Sequence, residues 1–128
     1  MARPKKAHPT EGELEVLHVL WADGPASVRH VMERLAKRKP RAYTSVMSLM
    51  TVMADKGLLK RTPEGRAFVY EPNVKRDAAL GGMVGDLLHR AFHGSAPALV
   101  AQLLGRTSEK ELDEIRKTID DYRKRKGG

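Results

Sequence analysis

The chain has 128 residues, 41% of them hydrophobic, with a formal net charge of +8 at neutral pH. That length suits one compact domain, or a small domain with an appended oligomerisation segment, and leaves little room for a deep enzyme cleft. It contains no cysteine, which excludes a disulfide framework, thiolate metal sites and a thiol nucleophile, and fits a reducing cytoplasm.

The opening MARPKKAHPT is basic, with no apolar run behind it, and no stretch of about 18 apolar residues occurs anywhere. Residues 1–9 therefore read as a basic tail, and the protein as soluble, cytoplasmic and without a membrane partner. TEGELEVLHVLWADG begins with a capping box, in which Thr10 and Glu13 satisfy each other's backbone amides. Leu14, Leu17, Leu20 and Trp21 share one face of the helix that follows, and the turn residues Asp23 to Pro25 stop it. Ser27 caps a second helix, VRHVMERLAKR, with Val28, Val31, Met32 and Leu35 as its buried stripe. A third ends near Lys56, where Gly57 suits a left-handed cap. In LLKRTPEGRAFVYEP the period changes: Leu59 to Thr62 and Arg66 to Glu71 read as strands of a basic hairpin joined by PEG, and Pro72 ends the second.

After Lys75 the pattern is helical again. Leu80, Met83, Val84, Leu87, Leu88, Ala91 and Phe92 make a wide apolar face, although Gly81, Gly82 and Gly85 each weaken the helix by about 1 kcal/mol relative to Ala. Ser95 begins SAPALVAQLLG, which carries Leu99, Val100, Leu103 and Leu104. Ser108 and Glu111 form another capping box, ahead of a helix bearing Leu112, Ile115, Ile119 and Tyr122, and residues 125–128 are expected to fray. Three short helices with narrow stripes cannot make a core alone. A second copy would supply the missing surface, so residues 75–124 read as a dimerisation region; the alternative is that they fold back on the first domain, residues 10–74.

Charge is uneven along the chain: residues 1–76 hold 15 Lys/Arg against 8 Asp/Glu, whereas residues 77–128 hold 9 against 8. A field concentrated in this way favours a polyanion such as nucleic acid. Within the basic part, AYTSVMSLMTVM has no charge from Tyr43 to Ala54. At 100° per residue Val46, Leu49, Met50 and Met53 fall in one arc, the core side, with Thr44, Ser48 and Thr51 opposite and Ser45 and Met47 at the margins. Short hydroxyl side chains suit a helix lying close against another surface, and a DNA major groove is such a surface. Arg41, Lys56, Lys60, Arg61 and Arg66 lie around it as candidate phosphate contacts.

The order TEGELEVLHVLW, SVRHVMERL, AYTSVMSLMTVMADKGLLKR and EGRAFVYEP closely resembles the penicillinase repressor family of winged-helix transcriptional regulators, from about Thr10 to Tyr122. The resemblance implies a mainly α fold with a small β-hairpin wing (α+β), that is, a winged helix-turn-helix domain followed by a helical dimerisation region. It implies a homodimeric, sequence-specific repressor that occupies a palindromic double-stranded DNA operator, with helix 43–56 in the major groove and wing 59–71 on the backbone. Carried over by position, the base-reading residues are Thr44, Ser45, Met47, Ser48 and Thr51. The backbone contacts are Arg41, Tyr43, Lys56, Lys60, Arg61 and Arg66. The dimer interface is drawn from Leu80, Met83, Leu87, Leu88, Phe92, Leu99, Val100, Leu103, Leu104, Leu112, Ile115, Ile119 and Tyr122. Some members are cut by a protease at an Asn-Phe bond, but Gln102-Leu103 stands at the matching position here, a departure that speaks against that partner.

Other readings are weaker. Asp86, His89 and His93 could share a helical face at metal-ligand spacing, yet Arg90 lies beside them and an ordinary solvated face is expected, so no metal and no cofactor are assigned. No Ser-His-Asp, paired-carboxylate or phosphate-loop arrangement supports an enzyme. A non-specific architectural DNA binder would account for the charge but not for the uncharged hydroxyl face.

Overall fold

The structure is a computed structural model and describes residues 8–127. Its elements are α1 (Glu11–Asp23), α2 (Val28–Ala36), α3 (Tyr43–Asp55), β1 (Leu59–Glu64), β2 (Ala67–Pro72), α4 (Arg76–Phe92), α5 (Ala96–Leu104) and α6 (Glu109–Gly127). The order of three helices, a hairpin and three further helices is the expected one. Two compact units divide the chain between Met83 and Val84, inside α4.

In the first unit, local signals set the helix ends. The Thr10 hydroxyl accepts from the Glu13 amide at 3.2 Å, and the Glu13 carboxylate accepts from the Thr10 amide at 3.0 Å. Ser27 accepts from the His30 amide at 3.1 Å. α3 closes with Gly57 at φ 87°, the Leu58 amide reaching the Met53 carbonyl at 2.9 Å and the Gly57 amide reaching Ala54 at 3.1 Å. These bonds form the Schellman pattern, which glycine allows because it carries no Cβ.

The core is built from Val16, Leu17, Val19, Leu20, Val31, Val46, Met50, Met53, Leu59 and Tyr70, each buried. Val28, Leu35 and Leu58 are buried at its edge, while Met32 and Leu49 pack against it half-buried. The face of α1 differs from the sequence reading. Val16 and Val19 join Leu17 and Leu20, whereas Leu14 and Trp21 are half-buried. The reason is that α1 packs against α2, α3 and β2 together, so its covered arc is wider than a single stripe. Trp21 lies at the rim, its indole N–H donating to the Val74 carbonyl at 3.0 Å.

The hairpin is longer than expected. Its antiparallel register runs from Leu59 opposite Pro72 to Glu64 opposite Ala67, leaving only Gly65 and Arg66 as the turn. Gly65 has φ 65°, which permits a two-residue connection. Pro63 is tolerated inside β1 because each strand of a two-stranded sheet is an edge. Ala26 and Tyr70 exchange both backbone hydrogen bonds, at 2.8 and 2.9 Å, and so tie the hairpin to the α1–α2 loop.

In the second unit, Ser95 caps α5 by accepting from the Ala98 amide at 3.2 Å, and Ser108 and Glu111 form the expected box ahead of α6. α4 and α6, at 17 and 19 residues, are longer than the short helices expected. α6 continues to Gly127, so residues 125–127 belong to the helix, and Gly128 lies outside the described residues. No residue of α4, α5 or α6 is buried.

Candidate nucleic-acid interface

Three segments of the first unit meet around one cleft. The exposed side of α3 supplies Tyr43 and Met47, the start of α2 supplies Ser27 and Arg29, and β2 with its turn supplies Arg66 and Phe68; the cleft has a volume of about 450 Å³. With Val46, Met50 and Met53 holding α3 to the core, Thr44, Ser45, Met47 and Ser48 are left exposed. Thr51 is half-buried and its hydroxyl donates to the Met47 carbonyl at 2.8 Å. Its proton is therefore committed to the helix, leaving the oxygen as an acceptor and the methyl as a contact.

The cations separate into two groups. Lys60, Arg61 and Arg66 are exposed on the hairpin, and Arg61 lies over the Phe68 ring, 4.8 Å from its centroid. Arg41 and Lys56 instead face carboxylates of α1. The Arg41 guanidinium pairs with Glu15, and the Lys56 ammonium lies 3.0 and 2.8 Å from the two Glu13 carboxylate oxygens. Glu13 is 3% exposed. Burial pushes its pKa up, but the hydrogen bond from Lys56, the Thr10 amide, the Lys56 charge and the Thr10 hydroxyl together outweigh this and hold the carboxyl below its ordinary value. Lys56 thus joins the end of α3 to the start of α1, a structural duty that its place in the sequence did not reveal.

Arg29 was missed by the sequence reading. It is exposed in the first turn of α2, over the Tyr43 ring at 5.9 Å, on the cleft that Arg66 also lines. The available signal was its position two residues after the Ser27 cap, since the start of this helix in a helix-turn-helix approaches the DNA backbone. Further along α2, Arg34 and His30 both reach Asp23 at 2.7 Å. The His30 hydrogen bond, followed by weaker opposing burial and the Arg34 contacts, holds Asp23 below the usual carboxylate range.

The metal alternative loses its geometry. α4 ends at Phe92 and His93 has φ 50°, so His93 lies outside the regular helix that the three- and four-residue spacing assumed, and among the described residues no three His, Asp or Glu side chains gather as a metal site. Asp86 lies 3.7 Å from Arg90. In the second unit, the apolar residues assigned to an interface are partly or largely exposed, with Tyr122 at 54%, Leu103 at 49% and Leu87 at 48%.

A model of the family described as penicillinase repressor matches residues 9–121. The transcriptional regulator BlaI of Mycobacterium tuberculosis is 34% identical over 112 residues, covering 84% of this chain and 81% of its own. The penicillinase repressor of Bacillus licheniformis is 25% identical over 119 residues, covering 91% and 93%. Among solved structures, the DNA binding domain of the repressor BlaI aligns with 58% of this chain and 90% of its own at a TM-score of 0.51 and 28% identity. The transcriptional regulator Tm0710 of Thermotoga maritima aligns with 89% of this chain and 73% of its own at a TM-score of 0.52 and 14% identity, a likeness of fold alone. With 113 of its 128 residues inside the family model and a winged helix-turn-helix built from those residues, the chain belongs to the penicillinase repressor family of transcriptional regulators.

Proposed function

We propose that this repressor is a cytoplasmic homodimer that occupies a palindromic operator, each subunit laying α3 in the major groove and its β1–β2 wing on the backbone. The observation that carries the reading is the exposed, uncharged run Thr44, Ser45, Met47 and Ser48 beside three exposed wing cations. Cations attract any duplex, and the counterions released on binding favour the complex whatever the sequence. Hydroxyls and a thioether discriminate among base edges and thymine methyls. Arg29, Arg66 and Tyr43 are assigned to the backbone beside that face, with Lys60 and Arg61. Arg41 and Lys56 are assigned to holding α3 in place.

A second copy supplies what α4 to α6 lack. Their exposed Val84, Leu103 and Tyr122 would gain burial in an interface, and two readers related by a two-fold axis require two inverted half-sites. No protease partner is proposed: Gln102 and Leu103 lie within α5, whose backbone would have to unwind before cleavage. The test is the affinity ratio between sites selected from random-sequence duplexes and scrambled DNA at one salt concentration. A ratio of about 10³ or more supports the repressor reading. Equal affinity rejects it in favour of an architectural DNA binder.

A further inference from the structure

We propose that α6 pairs with its own copy in antiparallel orientation, Leu112 against the partner subunit's Tyr122 and Ile115 against the partner subunit's Ile119. This rests on the homodimer reading and specifies one of its contacts. The four apolar residues are spaced three, four and three, as the inward positions of two heptads are. Ile119 is 48% exposed, and α6 packs extensively on no other element among the described residues. The seam needs a partner, and the charges beside it select which one.

α6 is polarised. Residues 109–115 hold four acidic side chains and one lysine, whereas residues 116–127 hold six basic and two acidic ones. The helix dipole accounts for acid in the first turn and base in the last, but not for the residues flanking the seam. Those are Glu109, Arg116 and Arg123 on one side and Glu111, Thr118 and Arg125 on the other. In the antiparallel register, Glu109 meets the partner's Arg123 and Glu111 meets the partner's Arg125. Two-fold symmetry doubles these to four attractive pairs, against one like pair at Arg116. A parallel pair brings together only Glu111 and the partner's Arg116, twice, and sets acidic half against acidic half. The Arg125 guanidinium already lies 5.7 Å from the Tyr122 ring centroid, beside the seam where the antiparallel pair needs it. A foreign partner would have to reproduce this charge order in reverse; a second copy supplies it by symmetry.

The absence of cysteine makes the test direct. Lys110→Cys, Lys117→Cys and Lys124→Cys place a single spin label at three exposed positions seven residues apart, on the outward side of α6. Antiparallel pairing predicts the shortest label-to-label distance at residue 117. Longer, mutually equal distances are expected at 110 and 124, where the axial offset is about 21 Å. Equal distances at all three positions, or any pattern without a minimum at 117, overturn the proposal. Sedimentation of the full chain as a monomer overturns the homodimer reading beneath it.

Discussion

Lys56 and Arg66 carry the same charge on neighbouring elements, yet the structure gives them different surroundings. Lys56→Met removes the ammonium from a carboxylate that is 3% exposed. Urea unfolding is expected to show a loss of about 1–3 kcal/mol, while the slope of log affinity against log salt stays unchanged. Arg66→Ala is exposed and should alter stability by less than about 0.5 kcal/mol, but reduce that slope by about 0.9 for one phosphate contact. The reverse pair of results would exchange the two assignments. Glu13 adds a pH signature. Because its folded pKa lies below its unfolded one, the ionised carboxylate contributes stability above the unfolded value, and this is lost as pH falls through the folded value. The stability gap between the parent chain and Glu13→Gln should therefore be widest near neutrality and close only as pH falls below the ordinary glutamate range, through the lowered folded value. Urea unfolding across a pH series checks it, and a gap that stays constant into acid would remove the ionised pair from the account.

At the scale of elements, α3 presents two faces that were separable from sequence, because a helix of known period has only one way to bury Val46, Met50 and Met53. Thr44→Ala and Ser48→Ala should shift preference among operator variants by about 1–3 kcal/mol at most for a good base contact. Thr51→Val keeps the methyl and removes only a hydroxyl whose proton is bonded to Met47, so it should change preference less. A binding-site selection on each variant measures this, and unchanged profiles for both alanine variants would place base reading elsewhere. The capping boxes at Thr10 and Ser108 and the Gly57 stop were legible for the same reason: their partners lie within a few residues. What was not legible depended on distant chain. The carboxylates facing Lys56 and Arg41 are 43 and 26 residues away. The wide buried arc of α1 reflects packing on three elements, and the short turn at Gly65 depends on pairing that continues past Pro63.

For the whole molecule, the two units divide the work by composition. The first holds the core, the exposed hydroxyl face and most of the basic excess, and the second holds apolar residues that are half-buried or exposed, none of them fully buried. The reader should therefore fold without the helices that follow it, provided the cut spares its anchors. Val74 packs against the core and its carbonyl receives the Trp21 indole, so the truncation belongs after Lys75 rather than just after Pro72. We expect residues 1–75 to unfold cooperatively in urea and to sediment as a monomer. Its affinity for a full operator should fall about 10²- to 10⁴-fold, because the linked second contact becomes a separate bimolecular event. Its affinity for an isolated half-site should change little. A truncated chain that remained dimeric would move the interface into the DNA-reading unit, whereas one that failed to fold would show that the reader depends on α4 for its stability.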